Sequence, residues 1–363
     1  MDFDYQLRWL KKTVGARLDA FMKRRFDLVH FSLPDVLEYS GEFGNELVLF
    51  LPFCNWLSKE GLLKKRYIKT YQGMKCFYDD LDCRGIIEKK ATRHFVPLNY
   101  RSTWLPVKDE HTFDGLSSAS RHLYPDFRAR FSQIPLHRDL GLEQEPLLIV
   151  HNKYNPEWNG PPVNYLSINI LDEIFSSLRI SYRIIYIRHG LNAPDSGFSS
   201  DYNGFFSYRD RDLLRDHSHV MEFDTLFARH KKSGGSDDIN LFKNALYSRC
   251  HHFITSQGGG AYQISCFSGS LMIVHHRFGH ELGGEYAKGH FTFKTSPPPT
   301  LLICRSGDEV LQSLPVLEKP CVINDRVMID PRHKNLLERL SPCRDFGNFR
   351  AEPLPLETAW LAQ

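Results

Sequence analysis

No stretch of this 363-residue chain stays apolar for long. The greasiest run, Leu47 to Leu57, is about half the ~20 residues a helix needs to cross a bilayer, and Pro52 and Asn55 interrupt it. No membrane span is expected. The opening segment MDFDYQLRWLKK is charged throughout and lacks the continuous apolar core of a secretory leader, so export by that route is not expected either. Cysteine is scarce: eight residues with no C-x-x-C pair are too few for a disulfide scaffold. They read as reduced thiols, most of them buried, in a cytoplasmic protein. An excess of charge of one sign is missing as well. Forty-six Lys plus Arg against 43 Asp plus Glu leave a net +3, too little for a chain that must neutralise many phosphates, so nucleic acid is not an expected partner. There is no repeat and no low-complexity tract, and no lysine follows a glycine run as a P-loop kinase or NTPase requires.

What is present is the composition of a folded protein, 42% hydrophobic with 25% charged residues, in a chain long enough for two domains. Leu7, Leu10, Val14, Leu18 and Phe21 recur at helical steps, with Arg8, Lys11, Lys12, Arg17 and the run Lys23 to Arg25 on the other face. Such a helix suits peripheral contact with anionic lipid on the cytoplasmic face of a membrane as well as packing on the protein. Residues 26–140 give no clean period. From Pro146 the pattern sharpens: an apolar run at 147–150 leads into a polar loop, and a helix through Val163, Leu166, Ile170, Leu171, Ile174 and Leu178 is predicted to start at Pro161 and Pro162. A second run at 182–187 completes a βαβ unit, which requires a parallel sheet. A polar loop then spans 191–216. A weaker strand at 219–223, a helix capped by Asp237 or Asp238, and strands at 252–255, 270–274 and 301–304 extend the pattern.

The strongest local signal is Ser256-Gln257-Gly258-Gly259-Gly260-Ala261. A strand runs into a triple-glycine turn and at once opens a helix, so backbone N–H groups and the positive helix end point at one spot where phosphate is expected. The alternative is a glycine-rich connection with no ligand. Tyr186 to Gly190, YIRHG, ends a predicted strand in Arg188, whose planar, always-charged guanidinium suits a diphosphate. His151, Lys153, Tyr154 and Trp158 follow the strand at 147–150, at the sheet edge where sites gather. Lys153 adds positive charge, His151 can hydrogen-bond a sugar or act as a base, and Trp158, with Tyr154 beside it, offers a face for a sugar ring. Upstream, Gly41-Glu42-Phe43-Gly44-Asn45-Glu46 precedes an apolar run, and Glu42 and Glu46 are candidate general bases or helix-start carboxylates. Asp80-Leu81-Asp82 and Asp210-Arg211-Asp212 have the form of a divalent-metal pair; the second lies in a charged loop and reads as solvated. His276 and His280 are set among glycines that disfavour a zinc-binding helix. No metal and no cofactor are expected.

Residues 146–305 resemble the C-terminal half of GT-B glycosyltransferases, in which a strand, a Ser/Gly turn, a short helix, a small residue and another strand build the nucleotide-sugar site. YIRHG is similar to the His-x-Arg-Arg segment of fucosyltransferases at Arg188 alone, with His189 in place of the second arginine. Gly44-Asn45-Glu46 is similar to their Gly-Asn-Gln turn. The acidic residue that the retaining branch carries in the helix after the turn is replaced by Tyr262, Gln263 and Ser265, which favours inversion.

The resemblance implies an α/β fold of two Rossmann-like domains facing a cleft (GT-B): an acceptor-side domain over 1–140, a nucleotide-sugar-binding domain over 141–330, and a tail, 331–363, packing back on the N-domain. It implies a metal-independent, inverting glycosyltransferase with a nucleotide-sugar as co-substrate and a glycan or polysaccharide acceptor. Arg188, Lys153 and the backbone of Ser256 to Ala261 would hold the donor diphosphate. Gly44, Asn45, Tyr154 and Trp158 would contact acceptor or sugar, and Glu46, Glu42 or His151 would be the base. A nucleotide-sugar epimerase and a non-catalytic carbohydrate-binding protein are the alternatives on the same fold. The whole reading requires the triglycine bend and Arg188 to converge on one pyrophosphate.

Overall fold

The computed structural model describes residues 33–91, 93, 122–143, 145–154, 156–157, 160–188, 208–283, 286, 291 and 294–342. The segment expected to form a basic N-terminal helix, Trp158, His189 and the chain beyond Pro342 lie outside these residues.

The carboxyl-terminal part is built around a fully buried strand. The smaller sheet that precedes it consists of β1 (Val36–Glu38), β2 (Tyr67–Tyr71) and β3 (Gly85–Lys89), all parallel and in that order. β4 (Leu147–Asn152) is buried at every position, as expected of a parallel strand with both faces covered. A short hairpin follows, β5 (Pro156–Glu157) with β6 (Gly160–Pro162), and then Asn164 at a left-handed φ of 55°. A right-handed helix does not run through that conformation. The helix therefore starts later than the prolines suggest, at Ile168–Leu178, where the Ser167 hydroxyl accepts from the Ile170 N–H. It returns the chain to β7 (Arg183–Arg188), parallel to β4.

β8 (Met221–Glu222), β9 (His252–Ser256), β10 (Leu271–His275) and β11 (Thr300–Cys304) complete a six-stranded parallel sheet of order β11-β10-β9-β4-β7-β8. Between β8 and β9 the Asp238 side chain caps helix Ile239–Ser248, accepting from the N–H groups of Asn240 and Leu241. The end of the expected polar loop is instead helix Asp210–Asp216. Counted from β4, the strands run 3-2-1-4-5-6 across the sheet, the order of a Rossmann-like fold. The chain leaves β4 toward β7 and β8, then crosses back to place β9 on the other side of β4. That reversal opens a crevice between the carboxyl ends of β4 and β9.

Between β1 and β2 the chain is helical over 43–59: an α-turn Phe43–Asn45, a π-helical stretch Glu46–Phe50 and an α-helix Leu51–Lys59. This greasiest run of the sequence is core, with Leu47, Phe50, Leu51 and Phe53 at most 1% exposed. Among the described residues no helix is long and apolar enough to cross a membrane. One apolar cluster extends from Leu37, Phe53 and Phe77 through Phe127 to Ile149, Ile185 and Phe253. The expected boundary at residue 140 thus crosses a shared core. A second cluster, with Leu148, Ile184 and Ile254 under Leu171 and Phe175, fills the opposite face of the large sheet. Helix Lys334–Leu340, in the described part of the tail, lays Leu336, Leu337 and Leu340 on this second cluster rather than on the N-terminal part.

Candidate functional site

β4 and β9 end side by side, with His151 opposite Thr255. Lys153 leaves the end of β4, while Ser256 and Gln257 leave β9. Gly258 adopts φ 143°, a conformation that side chains rarely take, and helix Gly259–Ile264 begins at once. Each glycine of the bend faces a different neighbour. A Cβ on Gly258 would stand 3.0 Å from Lys153 Nζ, one on Gly259 2.8 Å from the Phe43 ring, and one on Gly260 1.8 Å from His151 Cε1. Gly44 answers from the N-terminal side, where a Cβ would stand 2.7 Å from the Tyr262 ring. The two glycine turns that stand apart in the sequence therefore pack against each other beside the crevice, and close approach accounts for each missing side chain.

The surroundings are cationic and partly dry. Burial, reinforced by Lys243 and Lys153, pulls the His151 imidazole down to about 3. It is neutral at neutral pH, which makes it a hydrogen-bonding group and a weak base. Burial also pulls the Lys243 ammonium down to about 7 and that of Lys294 to about 8. Lys294 Nζ donates to Ser265 Oγ at 3.0 Å and lies over the rings of Tyr262 and Phe291. Gln257 is anchored twice: its backbone N–H donates to the His275 carbonyl, and Nε2 donates to Glu281 Oε1 at 2.9 Å. The same carboxylate accepts from the Tyr262 hydroxyl at 3.4 Å and faces His276 Nε2 at 3.5 Å. Gln257 Oε1 is buried and has no hydrogen-bond partner among the described residues.

Two asparagines hold the loops around the crevice. Asn152 Oδ1 accepts from the N–H groups of Lys153 (3.0 Å) and Leu166 (2.9 Å), and Nδ2 donates to the Leu166 carbonyl. Asn164 does the same for the loop after β10, accepting from Arg277 and Phe278 N–H and donating to the Phe278 carbonyl. Neither asparagine, nor Glu281, Lys243 or Lys294, belongs to a recognisable motif. Only the habit of Asn to bond nearby backbone at a strand end marks Asn152.

Other predicted site residues are not brought together. Arg188 ends β7, on the far side of β4 from β9, about 10 Å away at ~4.8 Å per strand. Alternation along the strand sends it, with Ile184 and Tyr186, to the face of the second cluster, whereas Ala261 and Ile264 of the glycine helix pack on the first. Its guanidinium is held by Asp210, with Nε and Nη2 on the two carboxylate oxygens, Nη2–Oδ1 at 2.8 Å. The Tyr186 hydroxyl also donates to Asp210, at 3.0 Å. The expected cradle of Arg188 and the triglycine bend is thus not formed, and Asp210, expected in solvent, is 1% exposed. Burial of a charge demands a partner, and Arg188 and Asp210 supply one another.

Glu46 is enclosed by partners of its own. It is 0% exposed, paired to Arg93 Nη2 at 2.6 Å, and accepts from the hydroxyls of Tyr78 (2.8 Å) and Thr70. A carboxylate enclosed in this way holds the turn in place and has no face for an acceptor sugar. Glu42 is half-buried and receives Asn45 Nδ2 at 3.5 Å. Tyr154 stacks on Tyr208 at 4.2 Å and meets Tyr165 edge-on. In the other acidic pair, Asp80 pairs with Arg130 at 2.9 Å and Asp82 with Lys64 at 3.7 Å. Among the described residues no group of three or more His, Cys, Asp or Glu side chains is arranged to hold a metal ion. No protein-family model matches the chain, and comparison with curated proteins finds no match.

Proposed function

We propose that the crevice between β4 and β9 takes the diphosphate of a nucleotide-sugar without Arg188, and that the chain is a glycosyltransferase of the GT-B kind. With that guanidinium turned to Asp210, this reading loses the cradle it was built on and rests on the glycine bend and Lys153 alone. The observation that carries this reading is the position of the glycine bend. It stands at the reversal point of a 3-2-1-4-5-6 parallel sheet, where such sheets take nucleotides, with Lys153 against Gly258. The unpartnered, buried Gln257 Oε1 at the same bend supports a polar ligand. Lys153 and the bend N–H groups would neutralise the leaving diphosphate, preorganised electrostatic work of the kind that usually dominates such catalysis.

The meeting of Phe43 and Gly44 with the glycine helix supports a transfer reaction over simple binding, because it lets the N-terminal part present an acceptor glycan beside the donor. Neutral His151 would hydrogen-bond a sugar hydroxyl. Glu42 is the carboxylate of that turn best suited to take the acceptor proton in an inverting displacement. Arg188 is a positioning residue for the end of β7.

The test is a thermal-shift and calorimetric panel of nucleoside diphosphates. One of them should raise the melting temperature by mass action, with affinity at least tenfold lower in Lys153→Ala and retained in Arg188→Ala. No shift from any diphosphate, or a shift indifferent to Lys153, overturns the donor site. With the matching nucleotide-sugar and a glycan panel, Glu42→Gln should abolish transfer while keeping donor affinity; turnover without any acceptor would point to an epimerase instead.

A further inference from the structure

β8 is the open edge of the large sheet, flanked by helices Asp210–Asp216 and Phe223–Lys232. A groove of ≈ 520 Å³ runs along it, a size within the ~300–1,000 Å³ of small-molecule sites. Leu214 and Met221, both partly exposed, give it apolar surface over the buried Val220 and Leu226, and Arg211, Arg215 and Arg229 stand around it, all three exposed. Its one carboxylate, Glu222, already accepts from the Thr225 hydroxyl at 3.0 Å. Arg215 pairs with Asp212, both well exposed, an arrangement that binds weakly and yields to a stronger anion. Arg229 gives one N–H to the Asp139 carbonyl out of the five that a guanidinium carries. β7 separates this edge from β4, so none of these residues serves the crevice.

Charged rims protect sheet edges from pairing, but protection alone does not call for a concave apolar floor. Guanidinium forks match the oxygens of a phosphate dianion, and the floor takes an apolar body. We propose that this groove is a second ligand site, for a phosphomonoester with an apolar body. It does not depend on the donor site: that site stands or falls with Lys153, this one with Arg211 and Arg215.

Fluorescence titration with 1-naphthyl phosphate tests it, against 1-naphthol and inorganic phosphate. The ester should bind saturably, at least tenfold more tightly than either fragment. Arg215→Ala with Arg211→Ala should weaken it tenfold or more while the circular dichroism spectrum and melting temperature hold, since both side chains are exposed; Lys153→Ala should leave it unchanged. Equal binding by the arginine double variant, parity with phosphate alone or with naphthol alone, or loss on Lys153→Ala would each overturn the proposal.

Discussion

Alanine at Gly260 would put a methyl carbon 1.8 Å from Cε1 and 2.1 Å from Nδ1 of His151, where ordinary carbon contacts lie at ~3.5–4.0 Å. One group must move by about 2 Å, and the imidazole, 6% exposed, has packed neighbours around it. Forcing a methyl into such a place costs about 2 kcal/mol, the middle of the overpacking range, which lowers the melting temperature of a protein of this size by roughly 3 °C. Away from the ring the sign reverses. Gly260 is helical, and there alanine is better than glycine by about 1 kcal/mol. In a His151→Ala background, Gly260→Ala should therefore stabilise, giving a coupling of about 3 kcal/mol across the double-mutant cycle. Urea unfolding of the four proteins, followed by circular dichroism and tryptophan fluorescence, measures it. Additive effects, or an alanine at 260 that is neutral in the wild type, would refute the packing of the bend on His151 and with it the tight crevice floor.

At the other end of the sheet, Arg128 donates to the carbonyls of Ser248 (2.7 Å), Cys250 (3.0 Å) and Ser268 (2.7 Å) and to Ser270 Oγ (2.9 Å). Arg128→Ala leaves these buried acceptors without their donor and should cost about 4 kcal/mol, at ~1–3 kcal/mol for each group left unmet. Lysine should recover little, lacking the fork; a loss below 1 kcal/mol in urea would contradict the clasp. Burial pulls His151 and His252 down to about 3 and His275 to about 4. The unfolded chain takes up protons below pH ~6.5 that the folded one refuses, so stability is lost as pH falls through that value. From pH 7.5 to 5.5 the three together should remove about 4 kcal/mol, at ~1.4 kcal/mol per residue per pH unit; equal urea midpoints at the two pH values would show that the rings are solvated.

Strands β4, β7, β9, β10 and β11 are legible in the sequence because each is a short apolar run in a parallel sheet covered on both faces, even at the edge strand β11. The cap at Asp238 and the turn at Gly258 are legible for the same kind of reason, since a side-chain acceptor and a positive φ are local needs. The helix start near Pro161 misleads, because the prolines belong to a hairpin and Asn164 to a left-handed bend. The strands of the N-terminal sheet alternate too briefly to declare a period.

Local composition thus determined the strands, the parallel α/β class and the glycine bend, all of which depend on neighbours a few residues away. Tertiary structure alone decided that Arg188 faces Asp210, that Glu46 is locked by Arg93, and that Gly44 meets Tyr262. Those outcomes depend on which face of a strand a residue takes and on which distant charge can be buried beside it. A linear reading specifies the donor and the acceptor of each contact but not the distance between them.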